Sequence, residues 1–353
     1  MARSLSDKAP PGDEADGSAQ LSEVVAFLSD PASLNDTGTS IDVVETHWSW
    51  VFLTDSRVLK LKKPLWRPWI DLRSLEARRA NCDEELRLNR RLTDGVYRRV
   101  VPVRRSPAGD LTLDGNGHPV EWLLEMRRLP AGRMLDTLVR DGAVDDDQIE
   151  RVGARLAKFY AGQPPVVIDG SLYLEHLRRE AAQNRSVLGS VDVGLPHREI
   201  DDVLSGVDSL LQEMAPQIDR RVEEGRILEG HGDLRPEHVC LTDPIQIFDC
   251  LEFDRGMRIL DPFDEVNYLG LECEFLGAGW IRPRLLAILE SVVGARPPPR
   301  LMTLYSAFRA TLRARICLAH LDDEIPMEPE RWPVEAARYL QVAAAELARP
   351  NHD

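Results

Sequence analysis

His231-Gly-Asp-Leu-Arg-Pro-Glu-His-Val-Cys-Leu241 runs into Thr242-Asp-Pro244 and then into Ile245-Gln-Ile-Phe-Asp-Cys250. Val239-Cys-Leu241 and Ile245–Phe248 are apolar enough to be strands, and Asp243-Pro244 supplies turn chemistry between them. The stretch therefore predicts a buried hairpin with one acid, Asp233, just before its first strand and another, Asp249, at the end of its second. Phosphoryl transfer asks for this equipment: a carboxylate to accept a hydroxyl proton, and further oxygens to hold a metal on the phosphates. Either acid alone says little in a chain with 59 Asp and Glu residues. A lone His-x-Asp recurs by chance, and an Asp after a strand is commonly a cap or turn former. The pair in a strand–turn–strand context is a far more specific signal.

Upstream of the hairpin the pattern is strand-rich. Ile41–Glu45, Trp50–Leu53, Val58–Leu61, Val100–Val103 and Pro119–Met126 read as strands, the last following a Gly115-Asn-Gly117 turn. A helix from about Leu75 to Leu92, capped by Asp71 or Ser74, follows the third strand. Leu21–Leu28 reads as a short amphipathic helix, Pro64 and Pro68 mark an irregular connection, and Met1–Gln20 reads as a disordered tail. Beyond Met126, helical periodicity runs from Arg133 to Glu224 and from Asp261 onward, broken at Pro297-Pro-Pro299. The expected organisation is a tail (1–20), a small β-rich lobe with one long helix (21–126), and a larger, mainly helical lobe carrying the hairpin (127–353). The crossover falls near Glu125–Arg128.

The formal net charge of -15 sets a chain that repels nucleic acid and anionic lipid, so neither is the expected partner. No run reaches the roughly 20 apolar residues of a membrane span, and the N-terminus lacks the apolar core of a signal peptide. Five cysteines without a CxxC pair read as buried, reduced thiols, which points to the cytoplasm. No G-x-x-x-x-G-K-[ST], HExxH or GxSxG occurs, so P-loop, zincin and α/β-hydrolase chemistries lack their residues. Arg309, Arg313 and Arg315 fall on a helix of about Arg300–Leu321; they are expected to pair with surface acids, the alternative being contact with an acidic or phosphorylated substrate. His47, Trp48, Trp66 and Trp69 read as aromatic packing under a loop.

His231-Gly-Asp233 with Ile-Phe-Asp249 resembles the catalytic loop and metal aspartate of aminoglycoside phosphotransferase-like kinases, relatives of the protein kinases. Glu45-Thr-His-Trp-Ser-Trp-Val-Phe-Leu53, Lys60-Leu-Lys-Lys-Pro64, Glu84-Glu-Leu-Arg-Leu-Asn-Arg-Arg-Leu92, Met126-Arg-Arg-Leu-Pro130 and Asp249-Cys-Leu-Glu-Phe253 are similar to a bacterial branch of that family. The likeness covers most of Ile41 to Leu318 and implies an α+β, bilobal, protein-kinase-like fold. By this resemblance Asp233 is the catalytic base, Asp249 the Mg²⁺ ligand, and Lys60 the strand lysine that holds the phosphates of ATP. Alternation supports Lys60, because Val58 and Lys60 share one strand face while Leu59 and Leu61 share the other. Lys62 is the reserve. Glu85 is preferred to Glu84 as the lysine's helix partner, because Cys82, Leu88 and Leu92 lie on its stripe. Glu125, Met126 and Arg128 form the segment expected to offer backbone groups to adenine. For Asp264, near Asp261 at the start of a helix, the resemblance suggests a brace for the catalytic loop, the alternative being a plain helix N-terminal acid.

Two positions depart from the family pattern. His238 stands where the loop usually ends in a metal-binding Asn, and Mg²⁺ strongly prefers oxygen, so Mn²⁺ enters as a second metal. The loop Thr46–Ser49 has no glycine; the hydroxyls of Thr46 and Ser49 are the candidates to meet phosphate in its place. The expected function is an ATP-dependent phosphotransferase acting on the hydroxyl of a small molecule. The alternative is a nucleotide-binding pseudokinase serving as a regulatory module.

Overall fold

The computed structural model describes residues 14–34, 40–67, 70–322 and 328–349. Most of the expected tail, together with Pro68 and Trp69, lies outside the described residues. The chain divides into two compact units, Met1–Met134 with His238–Gly256, and Leu135–Glu237 with Met257–Asp353. The fold class is the α+β one anticipated: a curled antiparallel sheet with helices in the first unit, and a helical second unit.

In the first unit, helix α1 (Glu14–Ser29) begins inside the stretch expected as tail. Strands β1 (Asp42–Glu45), β2 (Ser49–Leu53) and β3 (Arg57–Lys62) form a meander. After a two-residue ribbon, β4 (Trp66–Arg67) with β5 (Ile70–Asp71), comes helix α2 (Leu75–Asn89). Its N-cap is Ser74, whose hydroxyl accepts the Ala77 N–H at 3.1 Å. β6 (Tyr97–Arg105), β7 (Leu111–Leu113) and β8 (His118–Arg127) complete a six-stranded sheet in the order β1-β2-β3-β8-β6-β7. β7 is the strand that the sequence reading did not place; three residues beyond a Pro-Ala-Gly turn give no period to read.

The pleat divides β3. Leu59 and Leu61, with Phe52, Val103 and Leu123, pack under Val24 and Leu28 of α1 in one buried cluster. Lys60 and Lys62 have the opposite parity and face Glu85 of α2. Strand alternation thus converts a run of Leu and Lys into a core face and an ionic face.

The second unit holds α3 (Leu135–Arg140), α4 (Asp146–Ala161), α5 (Gly170–Leu188) and α6 (His197–Glu223). A short pair, β9 (Leu228–Glu229) with a later strand at Ile259–Leu260, leads into α7 (Pro262–Phe275), α8 (Ile281–Val293), α9 (Pro299–Ala319) and α10 (Arg331–Ala348). Every residue of α7 from Pro262 to Cys273 is buried, which makes it the unit's central helix, packed on α8 and α9. A helix apolar on one side only could not occupy that place.

The signature hairpin is β10 (Val239–Cys240) with β11 (Gln246–Ile247), and the Ile259–Leu260 strand is β12. The hairpin clusters with the sheet-bearing unit, and its hydrogen bonds explain why. Ile247 N–H donates to Leu92 O at 3.2 Å, Asp94 N–H to Gln246 Oε1 at 2.7 Å, and Leu241 N–H to Arg133 O at 2.7 Å. No helix among the described residues is long and apolar enough to cross a membrane.

Candidate active site

The first unit assembles an ionic network from three separate sequence segments. Lys60 Nζ donates to Glu85 Oε1 at 2.9 Å and to Asp249 Oδ1 at 3.0 Å. Lys62 is 1% exposed; it contacts the other oxygen of Glu85 and donates to Glu252 Oε1 at 2.5 Å. Lys60, Glu85 and Asp249, chosen from the sequence, therefore meet in space. Glu84 turns outward to Arg87 at 2.7 Å, and Glu85, on the apolar stripe of α2, is the inward glutamate.

Burial opposes charge throughout this network, and the partners outweigh it where they are closest. Lys60 is held well above its ordinary value by Asp249, Glu85 and Glu252, and Glu85 is held below its own by the two lysines. The Asp249 carboxyl sits well below the usual carboxylate range, because Lys60, His238 and Lys62 overcome the burial of the surrounding segment. Its side chain nevertheless keeps 41% of its exposure, so the carboxylate is accessible as well as ionised. Glu252 is pushed up by burial and by the neighbouring Glu85 carboxylate, against the pull of Lys62 and Lys60.

Backbone geometry aims Asp249. Its φ of 63° lies in the left-handed region, which costs most side chains energy and suits Asp better than nearly all others. Two contacts hold the turn. Asp249 N–H donates to the Tyr97 hydroxyl at 3.2 Å, and Cys250 N–H donates to Asn89 Oδ1 at 2.9 Å. Asn89 in turn donates to the Glu85 carbonyl at 2.9 Å, so one residue of α2 ties the lysine's partner to the Asp249 segment. His238 Nε2 lies 3.6 Å from Asp249 Oδ2.

Other predicted nucleotide contacts sit differently from the expectation. Ser49 is fully buried in β2, and its Oγ has no hydrogen-bond partner. The Thr46 hydroxyl closes its own turn, accepting the Ser49 N–H and donating to Ser49 O, each at 3.0 Å. Trp48 of the same loop stacks on Phe253, 4.9 Å between centroids and 12° from parallel. Glu125 and Met126 are not a free connector: they lie inside β8 between β3 and β6, and the Glu125 carboxylate takes Arg99 at 3.0 Å. Arg128 N–H donates to Ser56 O at 3.0 Å, so the strand's pairing spends that donor too.

The second unit holds Asp233 on a loop fixed by α7. Glu265 Oε2 accepts the His231 N–H at 2.9 Å, and Oε1 accepts the Gly232 N–H at 2.5 Å. Tyr160 OH donates to Glu265 Oε2 at 2.5 Å. Gly232 has φ 94°, the left-handed conformation that favours glycine, which lets two successive N–H groups point at one carboxylate. Asp233 N–H donates to His231 Nδ1 at 3.3 Å, and its Oδ1 accepts Tyr268 OH at 3.5 Å. The loop brace is thus Glu265. Asp264, which the sequence suggested for that role, instead takes both Nε and Nη2 of Arg309 at 2.6–3.1 Å. Arg309 and Arg315, expected on the surface, are buried, Arg315 pairing with Glu180 at 2.6 Å. Neighbouring acids on one helix turn point 100° apart, and only packing decides which meets the loop.

Tyr97, Asn89, Glu252 and Glu265 escaped the sequence reading. Asn89 had a findable signal, its place one turn after Glu85; Tyr97 had none.

No family model matches the chain. It is 29% identical over 322 residues to uncharacterized proteins of Mycobacterium tuberculosis and Mycobacterium bovis. That alignment takes in 87% of this chain and 61% of theirs, so the chain spans about three fifths of the curated relatives it matches. Among solved structures it is similar to a choline/ethanolamine kinase family protein from Mesorhizobium loti, with TM-score 0.56 and 18% identity over 94% of this chain and 96% of that one. Choline kinase LicA from Streptococcus pneumoniae matches with TM-score 0.55 and 14% identity, covering 93% and 99%. A spectinomycin phosphotransferase in complex with ADP and spectinomycin matches with TM-score 0.51 and 11% identity, covering 92% and 98%. The chain has the fold shared by choline kinases and aminoglycoside phosphotransferases, a fold of small-molecule phosphotransferases.

Proposed function

We propose that this chain is an ATP-dependent phosphotransferase that moves the γ-phosphate to a hydroxyl of a small molecule. The observation that carries the reading is the Lys60–Glu85–Asp249 contact set at 2.9 and 3.0 Å, an ionised, accessible carboxylate beside a lysine held by a buried glutamate. Lys60 binds phosphate oxygens, and Glu85 fixes its ammonium. Asp233, positioned by the Glu265-braced loop, accepts the proton of the attacking hydroxyl. The residues fit Mg²⁺. One exposed carboxylate, Asp249, suits an ion that keeps several waters and takes its other oxygens from the substrate's phosphates. Among the described residues no group of three His, Cys, Asp or Glu side chains could cage a metal alone. Mg²⁺ supplies charge neutralisation on the phosphates during transfer, and Mn²⁺ is the natural second test because His238 neighbours Asp249. Five buried, unpaired cysteines support a reducing compartment, the cytoplasm.

Asp233→Asn tests the reading. A positioned base is worth about 10²–10⁴-fold, so kcat on an accepted substrate should fall by that factor while nucleotide affinity stays within about twofold. Full activity in Asp233→Asn refutes the assignment. His238 favours one second reading, a module that binds nucleotide without turnover. A His238→Asn variant that gains activity with Mg²⁺ argues for a handicapped enzyme; binding without turnover under every condition argues for the module.

A further inference from the structure

Arg235 and Arg313 converge beside Asp233 within the helical unit. Arg235, two residues past Asp233, gives Nη2 to Glu237 at 2.5 Å, and its Nε lies 3.7 Å from Glu272 Oε2, beyond hydrogen-bond range. Arg313, on α9, lies over the Tyr339 ring, 5.6 Å from its centroid. The Nε of each guanidinium is buried and has no hydrogen-bond partner, and neither has Glu272 Oε1. The second Glu272 oxygen accepts Tyr339 OH at 2.9 Å. Both guanidiniums feel Asp233 and Tyr268, and burial and mutual repulsion between the arginines oppose that attraction at Arg235.

Two buried donors and one buried acceptor left unmade in a single cluster cost about 1–3 kcal/mol each unless something meets them, and a bound ligand is one such partner. The ligand's chemistry follows from the set. A guanidinium fork matches a planar carboxylate or a phosphate through two parallel N–H donors, and a free glutamate oxygen suits a hydroxyl. Glu237 and Glu272 offset the two positive charges, so selection rests on directional donors and not on a net positive field.

We propose that Arg313 and Arg235 seat an anionic group, carboxylate or phosphate, of the compound whose hydroxyl Asp233 deprotonates. The acceptor class is then a hydroxy acid or a phosphorylated polyol. It is not a cationic amino alcohol or aminoglycoside, whose ammonium would meet two guanidiniums. This rests on the phosphotransfer reading of Asp233, and the site itself is testable without nucleotide.

The experiment titrates the full chain, free of ATP, with D-glycerate, 3-phosphoglycerate, inorganic phosphate and choline, read by calorimetry. D-Glycerate and 3-phosphoglycerate are expected to bind. Arg313→Gln should weaken both at least tenfold, Arg313→Lys should recover part of the loss, and Arg331→Gln on α10, an exposed control, should change neither. Thermal melting of each variant separates lost binding from lost folding, and Arg313→Lys keeps the test open if Arg313→Gln does not fold. Choline binding as tightly as glycerate overturns the proposal. So does unchanged glycerate affinity in a folded Arg313→Gln, or no affinity for any organic anion. Phosphate binding that glycerate does not compete with also overturns it, because the arginines would then serve the transferring phosphoryl group. Absence of ATP turnover with anion binding intact would sink the phosphotransfer reading and leave the anion site standing.

Discussion

Around Asp249 the restraints are ionic: Lys60 at 3.0 Å, His238 at 3.6 Å, and behind them Glu85, Lys62 and Glu252 in one buried chain of alternating charge. Around Asp233 they include hydrogen bonds to the backbone, with Glu265 gripping two consecutive N–H groups and the Tyr268 hydroxyl reaching the carboxylate at 3.5 Å. The difference teaches what each acid must do. On the phosphotransfer reading, an acid that holds a phosphate-bound metal ion has to stay ionised at working pH, and adjacent cations secure that. On the same reading an acid that accepts a proton must above all be placed, and a loop braced through its backbone does this.

The largest effect expected from this contrast is at the ionic end. Asp249→Ala removes the only exposed carboxylate of the network, so Mg²⁺-dependent nucleotide affinity should fall more than tenfold and turnover should vanish. Unchanged magnesium dependence in a nucleotide titration would break the ionic half of the comparison. Next comes the brace. Glu265→Gln replaces an acceptor by an amide N–H facing backbone donors and should cost about 1–3 kcal/mol in chemical denaturation, with kcat falling more than tenfold. Asp264→Asn weakens the Arg309 pair and should cost comparable stability, yet leave kcat within about threefold. Equal kcat losses in both would mean that the brace is not specific to Glu265.

A smaller effect concerns pH. The folded Asp249 carboxyl is held below its unfolded value, so its stabilising contribution is complete above about pH 4 and is lost only as pH falls through the lowered folded value. Carboxyl NMR of Asp249 should therefore show a titration midpoint that rises in Lys60→Met. Coincident titrations in the two proteins would remove Lys60 as the cause. Smallest of all is a surface pair: Arg284, exposed on α8, meets Asp146 at 2.9 Å, and Arg284→Ala should change stability by less than about 1 kcal/mol in the same denaturation assay.

Much of the fold was legible because its signals are periodic. β3 announced its two faces through Leu and Lys alternation, α2 announced Glu85 through its apolar stripe, and the hairpin announced itself through two apolar runs and Asp-Pro. β7 was not, since three residues carry no period, and the sequence did not show that Glu125 and Met126 are paired inside β8, because the end of a strand is set by its neighbours. The choice of Glu265 over Asp264, and the burial of Arg309 and Arg315, turned on the same limit.

The amino-acid order, with the family resemblance its motifs carry, singled out Lys60, Glu85, Asp233 and Asp249 as candidates for phosphate chemistry, since residue type and spacing are local properties. The tertiary structure alone decided which atoms they touch: that Lys60 bridges Glu85 and Asp249, that Tyr97 and Asn89 hold the turn, and that the Nε of both Arg235 and Arg313 is buried without a hydrogen bond. Contacts between residues more than 150 positions apart follow from how helices and strands pack, and no local pattern encodes that.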